Sequence, residues 1–338
     1  MTTTATTIEW TRNDDGTPGR TWNPVSGCTK VSPGCDNCYA ETIAERFRGS
    51  AAFPHGFDVR VKPDRMNDPL AWRKATRVFV NSMSDLFHAD IDQAWIAEVF
   101  GVMAAARRHT FQLLTKRHAR MRTLLTEPEF VAQVRSRALG KGLPADQWAW
   151  PLPNLWLGVS VENQQWADIR IPALLDTPAA VRWISAEPLL GPVTLFDRDH
   201  RDHDRDWDGG DWVCLDCSTE EETVPWRVTD GSAPGIGWVV VGGESGPGAR
   251  PMHPGWARSL RDQCTQARVP YFFKQWGEWV IAPSNYGPDV PERARAGTTI
   301  VFRDESDVDG QIMLRVGKGR AGRLLDGREH NDFPAVSG

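Results

Sequence analysis

Three cysteines that lie close together are the residues of this sequence best suited to chemistry. Cys28, Cys35 and Cys38 follow the spacing C-x6-C-x2-C within the segment TWNPVSGCTKVSPGCDNCYAE. Thiolates at such short range can hold an iron–sulfur cluster, because these clusters take cysteine ligands. Three thiolates leave one iron of a four-iron cluster without a protein ligand. The pattern therefore favours a cluster that binds a substrate or a cofactor.

Two other interpretations of this segment remain open. A structural zinc site normally takes four protein ligands, and the fourth would have to come from Cys264 or from a histidine distant in the sequence. The thiols could also be unliganded structural or reactive groups. Gly27 and Gly34 precede two of the cysteines and permit the tight backbone that a metal-binding loop needs.

Apolar runs of strand length follow the cysteine segment and must supply the framework that positions it. The runs are continuous rather than alternating, as expected for strands covered on both faces. They are Arg77–Asn81, Thr110–Thr115, Leu155–Val161, Val181–Ser185, Gly237–Gly242 and Pro270–Lys274, with an initial strand near Thr21–Pro24. Helical segments are Tyr39–Arg48, Ile91–Arg107, Arg117–Leu125, Gln164–Leu175 and Trp256–Ala267. Repeated strand–helix units predict an α/β fold, a partial (β/α)6 TIM-like barrel.

Polar residues follow the end of each of these strands. They are Asn81–Asp85, Thr115–Arg117, Ser160 and Glu162, Ser185 and Glu187, Gly242–Gly246, and Lys274–Trp276. Each cluster alone is compatible with an ordinary turn or helix cap. In barrels of parallel strands, the carboxyl ends of the strands and their loops build the active site. Six clusters in the same position therefore predict one shared site.

Three regions lie outside this strand–helix pattern. The barrel is predicted to comprise residues 21–280. Residues 1–20 before it are predicted as an N-terminal leader, and residues 281–338 after it as a C-terminal appendage of strands and loops. The polar segment 197–235 is predicted as an insertion. His200, His203, Cys214 and Cys217 within it could clip this insertion with tetrahedral zinc, and a metal-free polar loop is the alternative.

The composition narrows the function classes. The chain has 338 residues and a net charge of −5, which argues against an indiscriminate nucleic-acid binder. The locally basic segment Arg107–Arg122 could follow a nucleic-acid backbone or be a solvated helix face. The sequence has neither a signal peptide nor an apolar run of membrane-spanning length. We therefore expect a cytoplasmic protein with no membrane partner and with reduced cysteines.

Several further motifs give the sequence a specific resemblance. They are NSMSDLFH (81–88), FQLLTKR (111–117), GVSVEN (158–163), ISAEPLLGP (184–192), VVGGESGPGARP (240–251), FFKQWGEW (272–279) and AGRLLDGREHNDFP (321–334). Together with the cysteine segment, they resemble the phage-associated three-Cys-motif protein family, which is uncharacterised and is similar to radical S-adenosylmethionine (SAM) proteins. The resemblance extends from about Thr21 to Trp279, with the last motif in the tail.

The resemblance implies a barrel of the radical SAM type. It also implies a [4Fe-4S] cluster held by Cys28, Cys35 and Cys38, with SAM bound to the open iron and cleaved to a 5′-deoxyadenosyl radical. The sequence departs from the usual C-x3-C-x2-C pattern in two ways. Its first gap is longer, and Asn37 stands where an aromatic residue normally precedes the last cysteine, while Tyr39 follows that cysteine.

The resemblance also implies roles for the polar clusters at the strand ends. The residues expected to bind the cofactor are Tyr39, Ser82, Ser84, Ser160, Glu162, Gly242, Gly243 and Glu244. The expected catalytic residues are Asp85, Lys116, Glu187 and Lys274, with His88, Arg117, Arg250 and Gln275 also on the substrate side. A buried ion-pair network across the barrel mouth is the alternative for the charged members.

The resulting functional hypothesis is a radical SAM enzyme that modifies or repairs a nucleobase or another phage-related macromolecule. It would receive electrons from a donor such as flavodoxin or ferredoxin. One alternative is a non-enzymatic, zinc-stabilised nucleic-acid-binding module. Another is a SAM-dependent methyltransferase without radical chemistry, a class that has no need of the three cysteines.

Overall fold

The computed structural model describes residues 5–195, 205–208, 211–214, 235–282, 299–302 and 311–335. Its strands are β1 (Arg20–Trp22), β2 (Val25–Ser26), β3 (Arg60–Val61), β4 (Arg77–Val80), β5 (Thr110–Thr115), β6 (Leu155–Ser160), β7 (Val181–Ala186), β8 (Arg205–Asp208), β9 (Asp211–Cys214), β10 (Trp238–Gly242), β11 (Tyr271–Gln275), β12 (Trp279–Ile281), β13 (Thr299–Phe302) and β14 (Gln311–Arg315). Its helices are α1 (Tyr39–Arg46), α2 (Asp68–Ala71), α3 (Gln93–Ala105), α4 (His118–Thr126), α5 (Pro128–Gly140), α6 (Gln164–Leu175), α7 (Pro254–Gln266) and α8 (Lys318–Ala321).

Seven of the strands form one parallel sheet. Their order is β1-β4-β5-β6-β7-β10-β11, which is also their order along the chain. Every neighbouring pair is parallel. The predicted α/β fold with a parallel sheet is therefore confirmed.

The sheet is curled into a half-barrel, and the contacts of Trp10 show how strongly it is curved. In a flat sheet, β4 and β10 would lie four strand spacings apart, or about 19 Å. The Trp10 ring nevertheless lies 4.6 Å from the Phe79 ring on β4 and 6.2 Å from the Trp238 ring on β10. One side chain can contact both strands only because the sheet bends around it. The architecture is that of a partial TIM-like barrel.

Aromatic side chains near the amino ends of the strands fill the inside of the half-barrel. The Trp238 ring lies 5.6 Å from Trp156 on β6 and 5.3 Å from Trp183 on β7. Trp10, in the segment predicted as a leader, is only 2% exposed and packs into this cluster. Phe333, in the tail, also packs on Trp238 at 5.4 Å. Trp10 and Phe333, which precede and follow the barrel strands in the sequence, therefore both pack at the aromatic end of the half-barrel.

The helices cover the outer face of the sheet with a larger apolar core. Helix α3 begins at its N-cap Asp92, whose carboxylate accepts a hydrogen bond from Ala94 N at 2.7 Å. Helix α5 was not predicted from the sequence, although Phe130, Val134 and Ala138 are buried at helical spacing on one face. These contacts bury the second face of the strands, as their continuous apolar runs require.

Strands outside the seven-stranded sheet form smaller antiparallel sheets. β12, β14 and β13 form an antiparallel sheet, and β8 pairs with β9 in the region predicted as an insertion. The tail adds to the edge of the barrel through Asp332, whose backbone N–H donates to Tyr271 O at 3.2 Å. Among the described residues, no helix has the length and apolar character needed to cross a bilayer.

Candidate functional site

All three cysteines of the C-x6-C-x2-C segment line one cavity. The segment connects β2 to α1, and Cys28, Cys35 and Cys38 are partly exposed and form no disulfide. The cavity has a volume of about 530 Å³, within the usual range for small-molecule sites. Residues at or just beyond the carboxyl ends of six parallel strands also line it: Asn81, Thr115, Ser160, Ser185, Gly243 and Gln275. The structure therefore brings the cysteines and the predicted strand-end clusters together.

Two carboxylates fasten the cysteine loop to the ends of strands. Ser32 Oγ donates to Glu162 Oε1 just after β6, at 2.7 Å. Asn37 Nδ2 donates to Glu244 Oε2 just after β10, at 3.0 Å. The loop between Cys28 and Cys38 is thereby attached at two separate places on the half-barrel. Glu162 and Glu244, predicted as cofactor-binding residues, thus contact the loop that carries the cysteines.

Glu162 is the most deeply buried of these carboxylates. It is inaccessible to solvent and lies 2.6 Å from Lys116 Nζ and 2.8 Å from Arg170 Nη1. Desolvation opposes the charge, but Lys116, Arg170 and Ser32 together hold the pKa of this carboxyl below its ordinary value. Glu162 is therefore an anion at neutral pH that joins the cysteine loop, β5 and α6.

Arg250 completes the second attachment. Its guanidinium forms two hydrogen bonds with Glu244, at 2.9 and 2.6 Å, and donates to Pro33 O at 2.8 Å. It also lies 3.2 Å from Asp36. Burial acts against the charge of Glu244, but hydrogen bonds from Arg250 and Asn37 lower the pKa of this carboxyl. Arg250 thus holds the loop between Cys28 and Cys38 on the β10 side.

Hydroxyl groups predicted to contact SAM form hydrogen bonds within the chain. Tyr39 OH donates to Ser82 O at 2.6 Å, and Ser84 Oγ donates to Val25 O at 2.8 Å. The Ser82 side chain is paired with Asn23 at 3.2 Å. These contacts hold both ends of the cysteine segment against the residues that follow β4.

Asp85 supports the backbone at the end of β5. Its carboxylate accepts hydrogen bonds from Thr115 Oγ1 at 2.8 Å, Lys116 N at 3.0 Å and Phe87 N at 3.0 Å. Because Asp85 is buried, these three donors compensate its desolvation. The geometry gives this predicted catalytic residue a positioning contact with Lys116.

His88 and Arg117 meet beside the first cysteine. His88 Nε2 and Arg117 Nη2 lie 2.9 and 2.8 Å from Thr29 Oγ1, and Arg117 Nη2 is 3.9 Å from Cys28 Sγ. The guanidinium therefore places a positive charge next to a thiol that could bind metal as a thiolate.

Glu187 and Lys274 form an ion pair in the lining of the cavity. Lys274 Nζ on β11 lies 2.9 Å from Glu187 Oε1 beyond β7. Gly242 permits this pair, because a Cβ at that position would lie 2.6 Å from Glu187 Oε1. Glycine is also required at position 243, because a Cβ there would lie 2.0 Å from Trp276 O. The two glycines predicted to approach the cofactor are thus necessary for close packing of the strand ends.

Two buried amides also lie on the cavity wall: Gln275, which was predicted on the substrate side, and Asn81, which was not among the predicted catalytic or cofactor-binding residues. Asn81 is 3% exposed, and neither Oδ1 nor Nδ2 has a hydrogen-bond partner. Gln275 is 6% exposed, and its Oε1 is similarly unpartnered. An unsatisfied buried polar group costs about 1–3 kcal/mol. The sequence signal was the position of both residues at strand ends, but their lack of partners depends on the tertiary structure.

The basic segment Arg107–Arg122 is engaged with the rest of the protein. Arg107 Nη1 donates to Gln147 Oε1 at 2.8 Å, and Arg122 pairs with Asp176 at 3.1 Å. Arg120 donates to the backbone carbonyls of His88 and Ile91.

The sequence matches one family model over residues 5–334, which is nearly its whole length. The model is described as "Protein of unknown function (DUF5131)". The chain belongs to the DUF5131 family. No curated protein matches the sequence.

A solved structure with similarity to this DUF5131 protein is spore photoproduct lyase complexed with dinucleoside spore photoproduct. The TM-score is 0.34 and the sequence identity is 10%. The similarity covers 86% of this chain and 67% of the lyase chain.

Cys28, Cys35 and Cys38 are the residues of the DUF5131 cavity that could hold an iron–sulfur cluster, because these clusters take cysteine ligands. Among the described residues, no group of three or more His, Cys, Asp or Glu side chains is arranged to hold a single metal ion. Burial, followed by the nearby Asp85 carboxylate, raises the pKa of the Cys28 thiol to about 11, and burial also raises the pKa of Cys38. Metal binding would therefore release protons from these thiols.

The zinc site predicted in the insertion falls mostly outside the described part of the chain. His200, His203 and Cys217 lie outside the described residues, and Cys214 is the last residue of β9. The zinc hypothesis for this segment remains a prediction.

Gly34 is the point where the cysteine loop approaches Glu162 most closely. A Cβ there would lie 2.5 Å from Glu162 Oε1 and 2.6 Å from its Cγ. We expect Gly34→Ala to lower the free energy of unfolding by about 1–3 kcal/mol, because the carboxylate cannot move without breaking its ion pairs. Urea denaturation at pH 7 measures this change.

Gly140→Ala is the matched control. Gly140 ends α5, and a Cβ there meets no atom within 4 Å. We expect this substitution to leave stability unchanged or to raise it by up to about 1 kcal/mol, because alanine favours helix. Equal effects of the two substitutions would contradict the close contact at Gly34.

Proposed function

We propose that this DUF5131 protein is a radical SAM iron–sulfur enzyme that modifies or repairs a nucleobase or another macromolecule. The observation that supports it is the convergence of Cys28, Cys35 and Cys38 on one cavity at the carboxyl ends of parallel strands. The family that the motifs resemble is similar to radical SAM proteins, and this similarity supports SAM as the cofactor. The cluster, when bound with SAM, would supply the 5′-deoxyadenosyl radical.

The chain's own residues would bind and orient the reactants. Cys28, Cys35 and Cys38 would hold the cluster, while Glu162, Glu244 and Arg250 position their loop. Trp10 and Phe79 line the cavity on the side of the aromatic cluster and would exclude water from it. Lys274 and Glu187, which are each less than one-fifth exposed, would orient the substrate. Electrons would come from a donor such as flavodoxin or ferredoxin.

The test measures the cluster directly. Protein purified without oxygen is analysed for iron and acid-labile sulfide, and its EPR spectrum is recorded after dithionite reduction, with and without SAM. We expect about four irons per chain and a signal that SAM perturbs. Cys28→Ala should abolish this signal.

Cys264→Ala is the matched control, because Cys264 is buried in α7 and lies away from the cavity wall. It should keep the iron content and the EPR signal. Zinc in place of iron after anaerobic reconstitution would refute the proposal and favour the zinc-stabilised nucleic-acid-binding module. SAM binding without any iron would instead favour the non-radical methyltransferase.

A further inference from the structure

Asn81 holds an unpartnered amide at a fixed position in the cavity wall. It directly follows β4 with a φ of 60°, a left-handed conformation that asparagine tolerates better than most residues. Its backbone N–H donates to Trp22 O at 2.8 Å, and its carbonyl accepts from Ser84 N at 3.3 Å. The backbone is thus fixed on both sides, while the side-chain donor and acceptor both lack partners.

Gln275 reaches the same cavity because β11 is irregular. Phe273 pairs with Val241, but the next residue of β10, Gly242, pairs with Gln275, so one residue of β11 is extra. Such a bulge redirects side chains, and the consecutive residues Lys274 and Gln275 both line the cavity. Lys274 is paired with Glu187, whereas Gln275 Oε1 has no partner.

The remaining wall restricts the type of ligand. Trp10, Phe79 and Leu114 provide apolar and aromatic surface, and Trp10 Nε1 is another buried donor without a partner. The unpartnered atoms on this wall therefore include two donors, Asn81 Nδ2 and Trp10 Nε1, and two acceptors, Asn81 Oδ1 and Gln275 Oε1. A phosphate or carboxylate offers only acceptors and would leave both amide oxygens unsatisfied.

We propose that Asn81 and Gln275 form a base-reading subsite, in which the Asn81 amide pairs with a nucleobase edge that presents an adjacent donor and acceptor. A carboxamide can form two such hydrogen bonds with one base, as it does with N6 and N7 of adenine. The aromatic surface supplies the apolar contact that a flat base requires. This inference rests on the proposed function for its substrate class and assigns the residue that reads the base.

The test measures binding separately from radical chemistry. Equilibrium dialysis of the full-length protein, purified without oxygen, uses each of the four deoxynucleosides as a probe. Asn81→Asp replaces the donor by an acceptor, and Asn81→Gly removes the amide. Both replacements tolerate a positive φ. We expect wild type to bind at least one deoxynucleoside and both variants to bind it at least about tenfold more weakly, which corresponds to one or more lost hydrogen bonds.

Asn67→Asp is the control, because it makes the same chemical change at a surface site where Asn67 contacts Lys141. It should bind like wild type. All three variants should keep the iron content and the SAM-perturbed signal. The inference is overturned if wild type binds none of the deoxynucleosides, if the Asn81 variants bind them like wild type, or if those variants lose SAM binding alone. Deoxynucleoside binding that depends on Asn81 in a protein without iron would refute only the radical SAM proposal.

Discussion

Glu162→Gln is expected to lower the free energy of unfolding by about 3–5 kcal/mol, because it leaves one fully buried and one partly buried cation without their anion. Lys116 and Arg170 both contact this carboxylate, and Arg170 is fully buried. The same substitution weakens the hydrogen bond from Ser32, so the attachment of the cysteine loop beyond β6 becomes weaker. Guanidinium denaturation of wild type and variant at pH 7 measures the stability change, and iron content reports the effect on the loop.

The stability difference between wild type and Glu162→Gln should depend on pH in a definite direction. The folded pKa of Glu162 lies below the ordinary value for glutamate, about 4.3. The stabilisation by its charge is therefore fully present above about pH 4.3 and is lost as the pH falls through the lower folded pKa. The difference in unfolding free energy between wild type and Glu162→Gln should be constant from pH 6 to 8 and should shrink in acid.

Asp176→Asn is the matched control for Glu162→Gln. Asp176 pairs with Arg122 at 3.1 Å on the surface, where both side chains are about half exposed. Such a pair contributes at most about 1 kcal/mol. A loss at Glu162 no larger than the loss at Asp176 would show that the buried network does not hold the loop.

Trp238→Ala is expected to lower the free energy of unfolding by about 3–5 kcal/mol, because it opens a large cavity in the aromatic cluster. Trp238 is fully buried and contacts Trp10, Trp183 and Phe333. Its indole N–H also donates to Asp332 O at 2.9 Å, so the tail loses an attachment. Guanidinium denaturation measures the stability, and limited proteolysis should show faster cleavage of the tail.

Trp148→Ala is the corresponding control at the periphery. Trp148 is partly exposed and stacks on Trp150 at 6.2 Å. We expect a clearly smaller loss of stability, because solvent can fill the space. If the two substitutions cost the same, the aromatic cluster around Trp10 would not be the main packing unit inside the half-barrel.

The strands were predictable from the sequence because their chemistry is local. A strand that is covered on both faces is rich in apolar residues without strict alternation, and Thr110–Thr115 was located with its exact bounds. Helix α5 was missed because apolar residues such as Val131 and Leu139 also lie outside its buried face and obscure its helical spacing. The role of Trp10 could not be predicted, because a short segment without periodicity does not reveal which surface it covers.

The residues that line the candidate site could be predicted from the sequence, whereas the contacts that attach the cysteine loop could not. The three cysteines and the strand-end clusters were evident from residue type and spacing. Ser32 was not singled out, and Asn37 was noted only for its place before the last cysteine. Their partners lie 130 and 207 residues away in the chain. Pairing over such distances depends on how the sheet curls.

The sequence by itself determined that this protein has a parallel α/β framework and a thiol-rich loop after the first strand. These features follow from local composition and spacing. Only the tertiary structure decided that Glu162 and Glu244 contact the loop and that the Asn81 amide stays unpartnered. Each of these properties depends on which groups meet after burial, and burial is a property of the folded chain as a whole.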